Sequence, residues 1–280
     1  MTLGPTERSA CEELALVPGS EFEGVYRFLP SEAQETLLSL EALFRSLRDI
    51  PGGVSDPSVG VAKLAWWQQE LARAPHEGSQ HPVVRALLVS GALGGMDRDA
   101  FGDYLHALVT ELQEEPVADF DVLRDRLARS AGAEARVLAG QGGFSDSQLK
   151  AAGASARLLE LMRTLGRGDV VPGWLPMALV ARHQVSEQAD ASPAARAPVV
   201  ADLACVARDW HRTARLTPEA AQTPGERFLV LRAGLVDRRL GQAEVQPERW
   251  LTHGGRGDLG EVFRTWRTAR KLAQTVETGR

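Results

Sequence analysis

Cysteine is nearly missing from this chain: 280 residues hold only Cys11 and Cys205. They lie far apart with no CxxC partner, which excludes a disulfide scaffold and a cysteine zinc site and fits a reducing compartment. Aromatics are sparse at 6%. No apolar run approaches the ~20 residues that a membrane span needs. Positive charge is not in excess either. The formal net charge is -5, with acids and bases mixed along the chain, which argues against a nucleic-acid surface. The first residues carry acids and lack the basic-then-apolar order of a signal peptide. A cytoplasmic protein is expected. The six histidines (His76, His81, His106, His183, His211, His253) never form HxxxH or HExxH, so a zinc site has no local support. There is no GxSxG, and Gly52-Gly53 and Gly94-Gly95 lack the flanks of a phosphate loop.

What is present is helical periodicity over a chain that is 44% apolar, enough for a sizeable core. Residues 1–25 read as irregular, and 26–280 as one helical domain. Ser31 and Gln34 have the spacing of a capping box. Leu37, Leu40, Leu43, Phe44 and Leu47 then form one apolar stripe up to the Pro51-Gly52-Gly53 break. Asp56 before Pro57 starts the next helix, with Val61, Leu64, Trp67 and Leu71 on one face to about Ala74. Further helices are expected from His81-Pro82, from Asp97 to about Gln113, from Asp119 to about Ala139 and from Ser145 to about Leu165. Shorter or later ones follow at 175–183, 199–214, 225–240 and 257–276. Period-2 alternation is nearly absent. The expected class is all-α, with about ten helices.

Several pieces arrive in the order of a known family. They are Ala42-Leu43-Phe44-Arg45-Ser46-Leu47-Arg48, Lys63-Leu64-Ala65-Trp66-Trp67-Gln68-Gln69-Glu70-Leu71, His81-Pro82-Val83, Ser130-Ala131-Gly132 and Trp174-Leu175-Pro176. Together they resemble the squalene/phytoene synthases, head-to-head isoprenoid condensing enzymes with an all-α fold. The resemblance covers roughly Tyr26 to His183. It implies an isoprenoid-synthase-like helical bundle. In that family two DxxxD clusters hold magnesium ions that neutralise a leaving diphosphate.

The acids depart from that pattern. The first motif region offers only Asp49 and Asp56, separated by Pro51-Gly52-Gly53. In the second region Arg163 remains, Thr164 and Gly168 stand where the family has acids, and Asp169 is displaced by one position. A family tyrosine on the central helix appears as Arg126. The chain therefore resembles the divergent branch that includes phytoene-synthase-like assembly factors of respiratory complex I. Arg45, Arg48, Lys63 and Arg163 are the candidate diphosphate-binding residues, and Phe44 and Trp67 the candidate pocket residues. Asp49, Asp56 and Asp169 are weak metal candidates. Asp99/Asp103 and Asp121/Asp125 have the DxxxD spacing outside the motif positions and read as acids favoured near helix starts. The basic, amphipathic stretch from Phe263 to Leu272 reads as a solvated face or a surface for an acidic partner or membrane.

Two functions remain open. One is a non-catalytic member that binds an isoprenoid, another lipid or a protein partner and needs no cofactor. The other is an active prenyltransferase that condenses two isoprenoid diphosphates with magnesium.

Overall fold

The computed structural model describes residues 2–113, 115–167, 173–184, 192–253 and 258–278. Among them the chain forms fourteen α-helices, a single 3-10 turn and no strand. The expected class holds, and the helix number exceeds the expected ten because short helices carry too little periodicity to be read.

The N-terminal segment is the first correction. Residues expected to be irregular form α1 (Pro5–Ala15) and α2 (Glu21–Tyr26). Pro5 sits at the first turn of α1, where its missing N–H costs nothing. The Ser20 hydroxyl caps α2 by accepting the Glu23 N–H. α1 rests on α3 (Ser31–Gly52) and on α5 (Pro82–Val89). The predicted capping box at Ser31 does not form. Pro30 takes the cap position and the Gln34 amide turns back to the Leu29 carbonyl. α3 ends within the expected Pro51-Gly52-Gly53 break, running through Pro51 to Gly52 with Gly53 at its C-cap.

α4 (Pro57–Glu77) begins as expected, with the Asp56 carboxylate accepting the Ser58 N–H at 2.8 Å. A short α6 (Ala92–Gly95) forms in the glycine-bearing stretch between α5 and the Asp97 helix start. Asp97 caps α7 (Arg98–Gln113) through the Asp99 and Ala100 N–H groups. Asp119 caps α8 (Phe120–Ala139), and Ser145 caps α9 (Asp146–Arg167).

α8 and α9 pack closely along their length. A Cβ on Gly153 would lie 2.2 Å from the Ala131 carbonyl oxygen, so only glycine permits this approach. The small stretch Ser130-Ala131-Gly132 is thus a packing surface. α10 (Met177–His183) leads toward α11 (Pro193–Ala214), which starts earlier than expected because Ser192 caps it. α11 packs between α9 and α12 (Pro224–Val245). A capping box of Thr223 and Glu226 starts α12, and α13 (Pro247–His253), absent from the sequence expectation, follows it. α14 (Leu259–Thr278) lies along α12.

The apolar interior has two parts. One joins the faces of α3, α4, α5 and α7 with the first half of α12. The other joins α9, α11 and α13 with the far end of α12. The stripe Leu37, Leu40, Leu43, Phe44 and Leu47 is buried as expected.

Candidate functional site

Ion pairs run through this helical core. On α3, Glu41, Arg45 and Arg48 recur at spacings of 4 and 3, so all three project from one face. On α9, Arg157, Glu160 and Arg163 recur every three residues and do the same. α8 adds Glu134, and α12 adds Arg232 and Arg239, two turns apart.

These charges meet partner to partner. Arg48, with its side chain 4% exposed, donates to both oxygens of Glu134 at 3.1 and 3.3 Å and to Glu41. Glu160 lies 3.8 Å from Arg48, pairs with Arg45 and accepts from Arg157 at 2.7 Å. Arg232 closes the group 3.7 Å from Glu134. Along the same core Arg163 pairs with Glu21 at 2.6 Å. Arg239 donates to Glu21 at 3.0 Å, to the Gly19 carbonyl at 2.8 Å and through two nitrogens to Glu261.

The electrostatics follow from burial and these partners. Burial alone would push the Glu160 carboxyl up, but Arg48, Arg157 and Arg45 outweigh it and hold Glu160 well below the usual carboxylate range. Burial pushes Glu41 up, and the single close guanidinium of Arg48 does not reverse that. Burial would lower Arg48, yet Glu134, Glu160 and Glu41 keep it firmly protonated. Tyr104 stands beside the network on α7, fully buried and edge-on to Phe44 at 5.2 Å. Its hydroxyl has no hydrogen-bond partner among the described residues, and neither has Arg48 Nε.

The sequence candidates therefore separate. Arg45, Arg48 and Arg163 do come to inner helix faces, but each already holds a glutamate. Lys63 is exposed on α4 and stays outside the network. Phe44 packs beside it through Tyr104. Trp67 is buried elsewhere, edge-on to Trp66 at 5.2 Å and to His81 at 4.8 Å. Asp49 is exposed. Asp56 is exposed and serves as the α4 cap, where its hydrogen bonds with Ser58 lower its carboxyl. Asp169 lies outside the described residues. Asp121 and Asp125 flank Arg124 at 3.3 and 3.5 Å, and Asp103 pairs with Arg136 at 2.9 Å, an exposed salt-bridged surface as expected.

The glutamates are what sequence reasoning missed. Their signal was there: Glu41 and Arg48 interrupt the apolar face of α3, and Glu160 sits inside Leu158-Leu159-Glu160-Leu161-Met162. Magnesium is held by one or two carboxylates free to face it, with waters and substrate phosphates completing its octahedron. Glu41, Glu134 and Glu160 are committed to guanidiniums, and no three potential ligand side chains converge among the described residues. The residues described do not fit that ion. A gap between α9 and α12, bordered by Gly153, Ala156, Leu229 and Arg232, has a volume of about 10 Å³, room for one water.

The arrangement of helices is the all-α isoprenoid synthase fold. It superposes on a dehydrosqualene synthase crystallised in complex with a ligand, with a TM-score of 0.69 and 14% identity, covering 98% of this chain and 97% of that one. It also superposes on the squalene synthase HpnC from Alicyclobacillus acidocaldarius, with a TM-score of 0.62 and 20% identity, over 86% of this chain and 94% of that one. At these identities the superpositions show the fold. A model of the squalene/phytoene synthase family matches residues 18–261, and the chain belongs to that family. No curated protein matches it in sequence.

Proposed function

We propose that this protein is a non-catalytic member of the squalene/phytoene synthase family, acting by binding an isoprenoid or a protein partner. One observation carries the reading: the core bases suited to a diphosphate are already neutralised by buried glutamates of the same chain. Arg48 alone faces Glu41, Glu134 and Glu160. A diphosphate entering here would have to displace carboxylates from their guanidiniums and leave those carboxylates buried. Stranding a buried charge costs about 3–5 kcal/mol per broken pair. Ionising a prenyl diphosphate also needs counter-charge for the leaving group. The network supplies little, because its positive charge is already spent internally. Tyr104 Oη and Arg48 Nε remain as buried polar atoms that a bound water or ligand oxygen can satisfy.

The test is incubation with farnesyl and geranylgeranyl diphosphate, with and without magnesium, following diphosphate release and ligand-induced thermal shift together. The expected outcome is no release. A thermal shift without release would mark an isoprenoid-binding member, and no shift would mark a protein-binding one. Magnesium-dependent release of diphosphate would overturn the reading and support the prenyltransferase alternative.

A further inference from the structure

α14 carries its apolar side on the wrong face for a helix packed on a globular core. Among the described side chains of this helix, Glu261, Thr265 and Leu272 are buried. They fall on one side, fixed to α12 through Arg239 to Glu261 and Arg238 to Thr265. Leu259, Val262, Phe263 and Trp266, at spacings of 3 and 4, fall on the opposite side. That outward stripe is 88%, 51%, 59% and 39% exposed, respectively. The Phe263 and Trp266 rings lie 5.5 Å apart, and the Arg270 guanidinium stacks 5.1 Å over the Trp266 ring. Arg264 and Arg267, both exposed, flank the stripe. The sole acid from Leu259 through Gln274 is Glu261, buried against Arg239, and Asp258 just before the helix lies 3.7 Å from Arg264.

We propose that the outward face of α14 docks on an anionic lipid bilayer. An exposed apolar stripe holding Trp, Phe and Leu, bordered by arginines and free of acids, is the arrangement that lies in a membrane interface. The long aliphatic stems of Arg264, Arg267 and Arg270 bury beside it while their heads reach lipid phosphates. α14 has 20 residues and is about 30 Å long, and with α12 behind it the helix meets a bilayer lengthwise. No helix among the described residues is long and apolar enough to cross the membrane. A second copy fits this face poorly, because a two-fold interface would set the arginines of one copy against those of the other. Four apolar side chains on one convex helix also fall short of the roughly 20–30 residues a side of a stable protein interface.

The test is flotation of the full chain with vesicles of phosphatidylcholine alone and of phosphatidylcholine mixed with phosphatidylglycerol, at low and high salt. Binding is expected to the anionic vesicles alone and to weaken with salt. Phe263→Ser with Trp266→Ser is expected to weaken it more than about tenfold, from the lost burial of two aromatics. Arg264→Glu with Arg267→Glu and Arg270→Glu is expected to weaken it more than about a hundredfold, at roughly fivefold per charge. Thermal unfolding is expected to stay unchanged in both, since all these side chains are exposed. Absence of vesicle binding, equal binding to neutral vesicles, or wild-type binding by either variant would overturn the proposal. So would association with polyglutamate in place of vesicles, or self-association through this face seen by sedimentation. The proposal stands apart from what the core binds, so its failure leaves the non-catalytic reading untouched.

Discussion

Replacing Arg48 with methionine exposes what the charged core is worth. The substitution keeps most of the side-chain volume and removes one guanidinium from three carboxylates. Glu160 retains Arg45 and Arg157, and Glu134 retains Arg232 at 3.7 Å. Glu41 is left without an ion pair in a site where burial already pushes its carboxyl up. Breaking a buried pair costs about 3–5 kcal/mol. For a chain of this length 1 kcal/mol corresponds to roughly 2 °C, so Tm is expected to fall by about 6–10 °C. The pH dependence has a definite sign. Without Arg48 the folded protein binds a proton at Glu41 more tightly than the unfolded chain does. The deficit is therefore largest at neutral and alkaline pH and shrinks as pH falls toward the ordinary Glu value of 4.5. Urea unfolding followed by circular dichroism at about pH 8 and about pH 5 reads both quantities. Adding Glu41→Gln is expected to restore part of the loss. A deficit below about 1 kcal/mol, or one that does not vary with pH, would refute the buried network and return Arg48 to the ligand candidates.

Glu160 provides the opposite sign. Its folded carboxyl is held below the ordinary range, so its stabilisation is present above about pH 4.5 and lost as pH falls further. Glu160→Gln is expected to destabilise at neutral pH and to flatten the acid limb of the urea midpoint against pH. Gly153→Ala drives a methyl into the Ala131 carbonyl, a backbone atom that cannot turn aside, and is expected to cost about 3 kcal/mol in urea unfolding. Gly102→Ala, on an exposed turn of α7 with open space around it, is the control and is expected to stabilise by about 0.5–1 kcal/mol. Asp56→Ala removes the α4 cap and is expected to lower the urea midpoint slightly, and titration calorimetry is expected to show no change in prenyl diphosphate binding with magnesium present.

Most of the architecture could be read from local signals. The α3 stripe, the Asp56, Asp97, Asp119 and Ser145 starts and the small-residue stretch on α8 are each decided within a few residues. Ser31 failed as a cap because Pro30 took that position, a competition between neighbours that a spacing rule does not weigh. α1 and α2 escaped because their burial depends on other helices, α3 and α5 for α1 and the distant α12 for α2. The site was legible only in half. Arg45, Arg48 and Arg163 could be picked out as bases on inward faces. Their partners could not, because Glu134 and Glu160 come from helices whose placement beside α3 is a tertiary fact. A base without a visible acid looks ready for a ligand, and the same base in the folded chain is already engaged.

The Arg239 clasp also bears on how the chain is made. Glu21 precedes Arg239 by 218 positions. At roughly 5–20 residues per second, synthesis separates the two by about 10–40 s. During that interval α2 can dock on α9 through Arg163, which reaches both Glu21 oxygens, but the second guanidinium on Glu21 Oε1 and the α12 face that α2 packs on are still missing. α1 can settle early on α3 and α5, whereas α2 must wait, partly exposed, until α12 has left the ribosome. Final closure is a late event joining opposite ends of the chain, and a ribosome that stalls before α12 releases a product that cannot complete its own core.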